Sequence, residues 1–320
     1  MHVLVTGGAG FIASHIVDDL TAQGARVTVL DALTYAGNLR NLHKFSGDCI
    51  IGSVCDAAAV SAALEGVTHI VHAAAESHVD RSIAGPGAFI KTNIEGTFNL
   101  LEQCRLSGFR GLFLHLSTDE VYGELGPQGF FTEASRYAPN SPYSASKAAS
   151  DHLVRAYAHT YGLRAVVVNC SNNYGPRQYP EKLIPLTIRR CIERAPVLVH
   201  GDGLNVRDWI HVSDCAAAVV QVLQKGRAGE TYNIGGRNEL TNLDVVRRVC
   251  AVFQEQSSFD FSSLITHTQD RPGNDRRYGV DTSWIEKRLG WAPVVDFDEG
   301  LRDAVEWYAR NPDWWSDRNA

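Results

Sequence analysis

Residues 2–20 read HVLVTGGAGFIASHIVDDL, and this stretch decides the fold. A short apolar run with strand character meets three glycines within four positions, and apolar residues spaced three to four apart then open an amphipathic helix. Gly7 and Gly10 let the backbone turn sharply and bring N–H groups close to a pyrophosphate at the helix N-terminus. The third glycine position of this pattern carries Ala13, which the pattern permits. A second strand, RVTVL (26–30), runs into Asp31, at the distance where a carboxylate holds an adenosine ribose. The same charge repels a 2′-phosphate, so the turn is read as a site for NAD rather than NADP. A solvated turn aspartate is the competing reading of Asp31.

The rhythm continues through THIVHA (68–73), GLFLHLS (111–117) and RAVVVN (164–169), separated by helix-like segments. Short apolar runs alternating with longer amphipathic ones predict an α/β fold: a Rossmann-type, doubly wound parallel sheet with covering helices. The pattern changes at SNNYGPRQYPEKLIP (171–185), where three prolines and a glycine predict a loop leaving the sheet. The expected domains are therefore 1–171 for the dinucleotide and 172–320 for a smaller, mixed α/β substrate domain. In the latter, helices are expected at 186–194, 213–225 and 241–255, with short strands such as VLVH and TYNIG. The helix near 213–225 is a candidate to pack back on the first domain. Three tryptophans crowd VEWYARNPDWW (305–315).

The 320 residues carry a formal charge of −6 without a polybasic run, which argues against nucleic acid as a partner. No apolar run reaches the ~20 residues of a membrane-spanning helix. The first residues show no secretory pattern, and the seven cysteines form no CxxC pair, so a reducing, cytoplasmic location is expected. The twelve histidines show no metal-binding spacing. His72, His78 and His115, in or beside strand patterns, are read as packed residues, and no metal is expected.

Two stretches carry chemistry. SPYSASKAASDHL (141–153) puts Tyr143 and Lys147 four apart at the start of a predicted helix, hence on one face. An ammonium beside a phenol stabilises the phenolate, so such a pair can act as a base near neutral pH. STDEVYG (117–123) follows a buried-strand pattern with adjacent Asp119 and Glu120. Two neighbouring carboxylates resist burial, and the pair is read either as a solvated acidic turn or as proton-transfer groups.

Taken in order, the TGxxGxxG-like turn from Thr6 to Ala13, Asn93, the Thr118 hydroxyl and Tyr143-x-x-x-Lys147 resemble the extended short-chain dehydrogenase/reductase superfamily. The string STDEVYG resembles the nucleotide-sugar 4,6-dehydratases, in particular the dTDP-glucose 4,6-dehydratase family. LTYAGN (33–38), AAESHVDRSI (74–83), NCSNNYGP (169–176), PEKLIPL (180–186), RDW (207–209), YNIGG (232–236) and DRPGNDRRY (270–278) extend the likeness over nearly the whole chain.

That resemblance implies a lyase that oxidises C4 of a dTDP-hexose, eliminates water across C5 and C6, and returns hydride to C6 with bound NAD. It implies Tyr143 as the base at O4, helped by Lys147 and Thr118, with ionised Glu120 taking the C5 proton and protonated Asp119 serving the leaving oxygen. Phe11, Ile12, Leu33, Thr34, Ala74, Ala75, Thr92 and Asn173 would line the NAD site, with Ser53 and Val54 near adenine. Ser77 would face the sugar, and Asn172, Arg207 and Asn242 the pyrophosphate, joined by Lys182, Leu183 and Arg271. Leu198, His200, Asn274 and Tyr278 would complete the substrate site.

Four positions depart from the family pattern: Ser53 replaces an aspartate, His200 a tyrosine and Asn274 a histidine, while GPRQYPEKL (175–183) alters the cleft rim. These departures leave a UDP-glucose or other nucleotide-hexose dehydratase as an alternative. A 4-epimerase has no use for the acid pair, and a non-catalytic NAD-sensing scaffold has none for the intact Tyr143 and Lys147. Helical segments 87–106 and 143–161 would pair two copies into a homodimer.

Overall fold

The computed structural model describes residues 1–316. In chain order its strands are β1 (His2–Thr6), β2 (Arg26–Asp31), β3 (Asp48–Ile51), β4 (His69–His72), β5 (Leu112–Thr118), β6 (Ala165–Cys170), β7 (Asn172–Tyr174), β8 (Val197–His200), β9 (Val206–His211), β10 (Thr231–Ile234), β11 (Glu239–Thr241) and β12 (Ile265–Thr268). Seven form one parallel sheet in the order β10-β6-β5-β4-β1-β2-β3. The chain leaves β1 on one side for β2 and β3, then crosses back to β4 on the other. In a parallel sheet that reversal opens a crevice beyond the strand ends, where ligands bind.

Both faces of the sheet are covered, which is why β1, β5 and β6 are apolar almost throughout and buried along their whole length. Val3, Val5, Leu114 and Val168 face one core with Ile16, Val219 and Ile285. Leu4, Phe113 and Val167, one residue out of step, face the other with Leu100, Leu101, Val154 and Tyr157. Truncating a fully buried residue such as Leu4 to alanine costs about 2–5 kcal/mol.

The chain returns to this sheet after residue 172. Helix Val212–Lys225 packs on helix Phe11–Ala22, as its sequence pattern suggested. Strand β10 is a correction: the sequence reading put TYNI in the smaller lobe, whereas it is the edge strand of the large sheet, beside β6. A four-residue strand takes the sheet that offers it a partner, and no local signal names that partner. What remains outside is a three-stranded sheet β11-β9-β7, the pair β12-β8, and helices Leu183–Glu193, Asn242–Gln254 and Phe297–Arg310 around a core of their own.

Two local features position chemistry. Helix Pro142–Tyr161 starts with a capping box between Ser141 and Ser144 and proline at its first position, and ends at Gly162 in the left-handed region. Its start, and so the placement of Tyr143 and Lys147, is thereby fixed. The segment 87–106, expected as one helix, contains a π-helical turn at Ile90–Glu95. Such turns are frequent at functional sites. Here Asn93 is buried, its carbonyl accepts the Thr97 and Ser150 hydroxyls, and its carboxamide brackets the Glu76 backbone and Ser146.

Candidate active site

Strand β1 delivers the glycine turn to the mouth of the crevice. Gly7 has φ +70, and a Cβ there would lie 2.8 Å from Ala74 Cα, so the turn touches the β4 loop without room for a side chain. Asp31, at the end of β2, accepts the Ala9 N–H at 2.9 Å and the Leu33 N–H at 2.7 Å. It both fastens the turn and lines the cleft. Burial raises its pKa, and those two amides oppose the rise.

The cleft is lined by Gly7, Gly10, Phe11, Ile12, Asp31, Thr34, Ser53, Val54, Ala74, Ala75, Thr92, Tyr143 and Lys147, all expected from the sequence, and by Ser77. A glycine cradle, a helix N-terminus and an acidic residue at the end of β2 fit a dinucleotide. Leu33 and Asn173 are placed elsewhere. The Leu33 side chain packs against the sheet core, with its backbone at φ 48. Asn173 lines the adjoining cleft.

The strap 175–182 crosses between the two clefts, and Gln178, Glu181 and Lys182 line both. Its start is fixed to the first helix: the Pro176 carbonyl meets His15 Nε2 at 3.1 Å, and Arg177 pairs with Asp18 at 2.8 Å. At its far end Glu181 accepts the Tyr35 hydroxyl at 2.9 Å and Arg81 Nε at 3.0 Å, while the Arg81 guanidinium lies 3.9 Å from the Tyr35 ring centroid. Sequence reasoning quoted the strings that hold Tyr35, Arg81 and Glu181 but did not single those residues out. Their joint position follows from three distant segments meeting over the cleft.

Thr118 closes β5, and its hydroxyl caps the 3-10 turn Asp119–Tyr122 through the Glu120 N–H. Across from it stands buried Tyr143. Burial and then Glu120 raise the phenol's pKa, against a hydrogen bond from Thr118. Lys147, buried one helical turn on, donates from Nζ to the Leu116 carbonyl at 2.7 Å. Burial lowers its pKa to about 8, opposed by Asp151. The expected relief of the phenol by Lys147 is thus not what sets its pKa in this arrangement: the ammonium is engaged with the backbone, and burial dominates.

Beneath Lys147 is a layer the sequence did not reveal. Asp151 Oδ2 accepts Ser117 Oγ at 2.9 Å and the Tyr137 hydroxyl at 2.8 Å, and Oδ1 lies 3.2 Å from His115 Nε2. Burial pushes this carboxyl up, but those partners and Lys147 bring it below its ordinary value. The spacing Tyr143, Lys147, Asp151 continues one helix face, which is the signal that was available. His72 bridges the Thr6 and Thr97 hydroxyls.

The adjacent carboxylates have different surroundings. Asp119 is 1 % exposed, and its Oδ2 has no hydrogen-bond partner among the described residues. Burial, then Glu120 and Asp208, raise its pKa well above the usual range. Glu120 lies at the rim of the second cleft; burial raises its pKa too, but Arg271, Lys182 and Arg207 hold it down. Both pKa values are raised, that of Asp119 much the further, and two acids pushed apart in this way are suited to paired proton transfer.

The second cleft is lined by Asn172, Lys182, Leu183, Leu198, His200, Arg207, Asn242, Arg271 and Asn274. Lys182 Nζ donates to the Ser77 carbonyl at 2.6 Å. Arg207 donates to the Val206 and Asp275 carbonyls at 2.8 Å each and lies 4.2 Å from the Tyr278 ring centroid. Tyr278 is buried behind it, so it supports the arginine instead of lining the cleft. A cluster of fixed cations and amides in a half-enclosed cleft suits a pyrophosphate. Among the described residues no group of side chains is placed to hold a metal ion, and no helix is long and apolar enough to cross a membrane.

Comparison with known proteins adds to this geometry. The family model described as GDP-mannose 4,6 dehydratase matches residues 4–304. A probable dTDP-glucose 4,6-dehydratase of Sinorhizobium fredii is 50 % identical, over 98 % of this chain and 95 % of its own. The crystal structure of DesIV, a dTDP-glucose 4,6-dehydratase from Streptomyces venezuelae solved with NAD, superposes with a TM-score of 0.95 at 45 % identity and 100 % coverage of both chains. The UDP-glucose 4-epimerase of Thermus thermophilus, also solved with NAD, gives a TM-score of 0.89 at 33 % identity, covering 97 % of this chain and 99 % of its own.

Proposed function

Because the chain belongs to the dTDP-glucose 4,6-dehydratase family, within the wider GDP-mannose 4,6 dehydratase family, we propose that it is an NAD-dependent lyase. Its substrate is dTDP-glucose and its product the 4-keto-6-deoxy sugar nucleotide. The observation that carries this reading is the split between Asp119 and Glu120, one buried with its pKa driven well up, the other raised less because three cations oppose its burial. A 4-epimerase needs no such pair.

NAD, when bound, supplies the acceptor and later the donor of the hydride, and brings a positively charged ring into the cleft that Tyr143 lines. Tyr143 takes the proton from O4 as C4 becomes a ketone, with the Thr118 hydrogen bond steadying the phenolate. The ketone acidifies the C5 hydrogen, which Glu120 removes. Asp119 gives its proton to the C6 oxygen, so the C6–O bond breaks, a C5–C6 double bond forms and water departs. Glu120 then returns its proton to C5 as C6 is reduced, and the net change is the loss of one water. Lys147 and Asp151 hold the base side of the site, and Arg207, Arg271, Lys182, Asn172 and Asn242 fix the pyrophosphate. Leu198 and His200 are offered to the nucleobase.

Residues 1–171 form the NAD-binding unit and 172–320 the nucleotide-sugar unit, with the helix and strand at 212–234 and the helix Ser283–Leu289 added back to the first. Exposed Phe98, Leu106 and Tyr161 on the segments 87–106 and 143–161 support pairing of two copies. Seven unpaired cysteines suit the reducing cytoplasm.

The test is mass spectrometry of sugar nucleotides after incubation with dTDP-glucose and UDP-glucose in parallel. Loss of one water from the dTDP sugar alone is the expected result. Turnover of UDP-glucose alone would keep the chemistry and overturn the nucleobase assignment, and no turnover with NAD supplied would overturn the reaction.

A further inference from the structure

The tryptophan-rich end of the chain takes no part in this chemistry, yet it reaches the cofactor turn from behind. In that turn the Ala9 N–H is held by Asp31, while the Ala9 carbonyl accepts the Asn38 N–H at 3.0 Å and Asn41 Nδ2 at 2.9 Å. Asn41 is 1 % exposed, and its Oδ1 accepts the Trp314 indole N–H at 2.8 Å. Trp314 belongs to the core of the smaller lobe, edge-on to Trp307 with ring centroids 5.1 Å apart. The preceding helix makes a second link: the Tyr308 hydroxyl donates to the Gln178 carbonyl in the strap. The last two helices thus bond to the strap that lines the NAD cleft and to the asparagine that backs its glycine turn.

An indole nitrogen is a donor and never an acceptor. It therefore fixes which end of the Asn41 carboxamide is oxygen, leaving the NH₂ for Ala9. A flipped amide would set donor against donor at Trp314 and acceptor against acceptor at Ala9. Without the indole N–H, a buried amide oxygen loses its partner, and the constraint that aims the NH₂ at the turn goes with it.

We propose that the C-terminal segment is a brace for the cofactor: Trp314, acting through Asn41, and Tyr308, acting through the strap, are positioning residues that set how tightly NAD is held. The brace rests on the assignment of the cleft to NAD. It gives the smaller lobe, which binds the sugar nucleotide in the proposed function, a mechanical link to the larger lobe's cofactor. A redox cofactor that must be reduced and reoxidised within one turnover needs slow release, and the brace supplies it.

The experiment measures NAD release from the full-length holoenzyme, with melting temperature recorded alongside. W314F should release NAD roughly tenfold faster, the scale of losing one buried hydrogen bond. F261L is the control: the Phe261 ring is buried in the same core against Phe253 and Phe259, with centroids at 5.3 and 5.0 Å, and makes no hydrogen bond to the brace. It should leave release within about twofold of wild type, the scale of a loss confined to a distant contact. N41D keeps an acceptor for Trp314 but has no donor for Ala9, and should match W314F; it carries the test should W314F not fold. Equal effects of W314F and F261L, or unchanged release in both W314F and N41D, would overturn the brace. A wild-type protein that binds no NAD would overturn the cofactor assignment and the brace with it, whereas NAD held normally without dehydration would sink only the proposed reaction.

Discussion

Asn274 holds Arg207: the guanidinium Nη2 donates to the asparagine side-chain oxygen at 3.1 Å. The same oxygen receives Arg271 Nε at 3.3 Å, and Nδ2 is tied to Asp270 at 2.7 Å. An amide oxygen has two lone pairs and can serve both arginines, whereas one imidazole nitrogen can serve one. The departure from the family histidine thus builds a different way to aim the cations. Asn274→Ala should raise KM for dTDP-glucose roughly tenfold, the scale of unmade charged hydrogen bonds, and change kcat less than twofold. Steady-state kinetics decide it, and an unchanged KM would show that the arginines aim themselves.

The acid pair predicts a separation of steps. Asp119→Asn with Glu120→Gln should still oxidise C4, seen as reduced-nicotinamide absorbance on the enzyme, but lose dehydration by roughly 10²–10⁴-fold. Full dehydration by the double variant would remove both residues from the mechanism.

The same pair shapes the pH profile. Turnover needs Asp119 protonated and Glu120 ionised, and both pKa values are raised, Asp119 much the further. The rate should fall at low pH as Glu120 takes a proton and at high pH as Asp119 loses one, giving a bell. Glu120→Gln should abolish the acidic limb in whatever activity remains.

Stability should fall on the acid side for a separate reason. Burial, then Arg177, lower His15 to about 4; burial, then Lys147, lower His115 to about 4. Between pH 6.5 and 4 the unfolded chain binds protons that the native state refuses, so the stabilisation present above pH 6.5 is lost as pH falls. Each histidine adds up to about 1.4 kcal/mol per pH unit in that window. His15→Gln should reduce the slope of unfolding free energy against pH by one such step, measured by urea denaturation at pH 7 and pH 5. Asp119 and Glu120 act with the opposite sign in both proteins and cancel in the comparison.

Gly7→Ala tests the turn. The residue sits at φ +70, where a side chain costs about 1–2 kcal/mol, and its Cβ would meet Ala74 Cα at 2.8 Å, so the turn and the β4 loop must part. NAD retained on purification should drop at least tenfold, and normal retention would show that the cleft tolerates the shift.

The glycine turn, the alternating strands and the Tyr143–Lys147 spacing were legible because each is a short-range pattern: a turn needs glycine where it occurs, and helix periodicity puts residues four apart on one face. The sheet that strand β10 joins and the π-turn at Ile90–Glu95 were not, since both answer to partners far away in the chain. Asp151 shares the Tyr143 face but gave no sign of its role, which comes from Ser117, Tyr137 and His115 on other segments. Leu33 was expected at the cleft from the family resemblance, yet its half-buried side chain packs against the sheet core.

By itself the sequence determined the alternating strands and the cofactor turn, matters of residue type at fixed local spacing, while the family and the roles of the acids came from the resemblance its strings carry. The tertiary structure decided which acid has its pKa raised the further, because a pKa depends on burial and on charges brought from elsewhere: Asp208 toward Asp119, Arg271 and Lys182 toward Glu120. It also decided that Trp314, 273 positions from Asn41 along the chain, stands behind the cofactor turn, a contact made by packing two lobes together that no local pattern encodes.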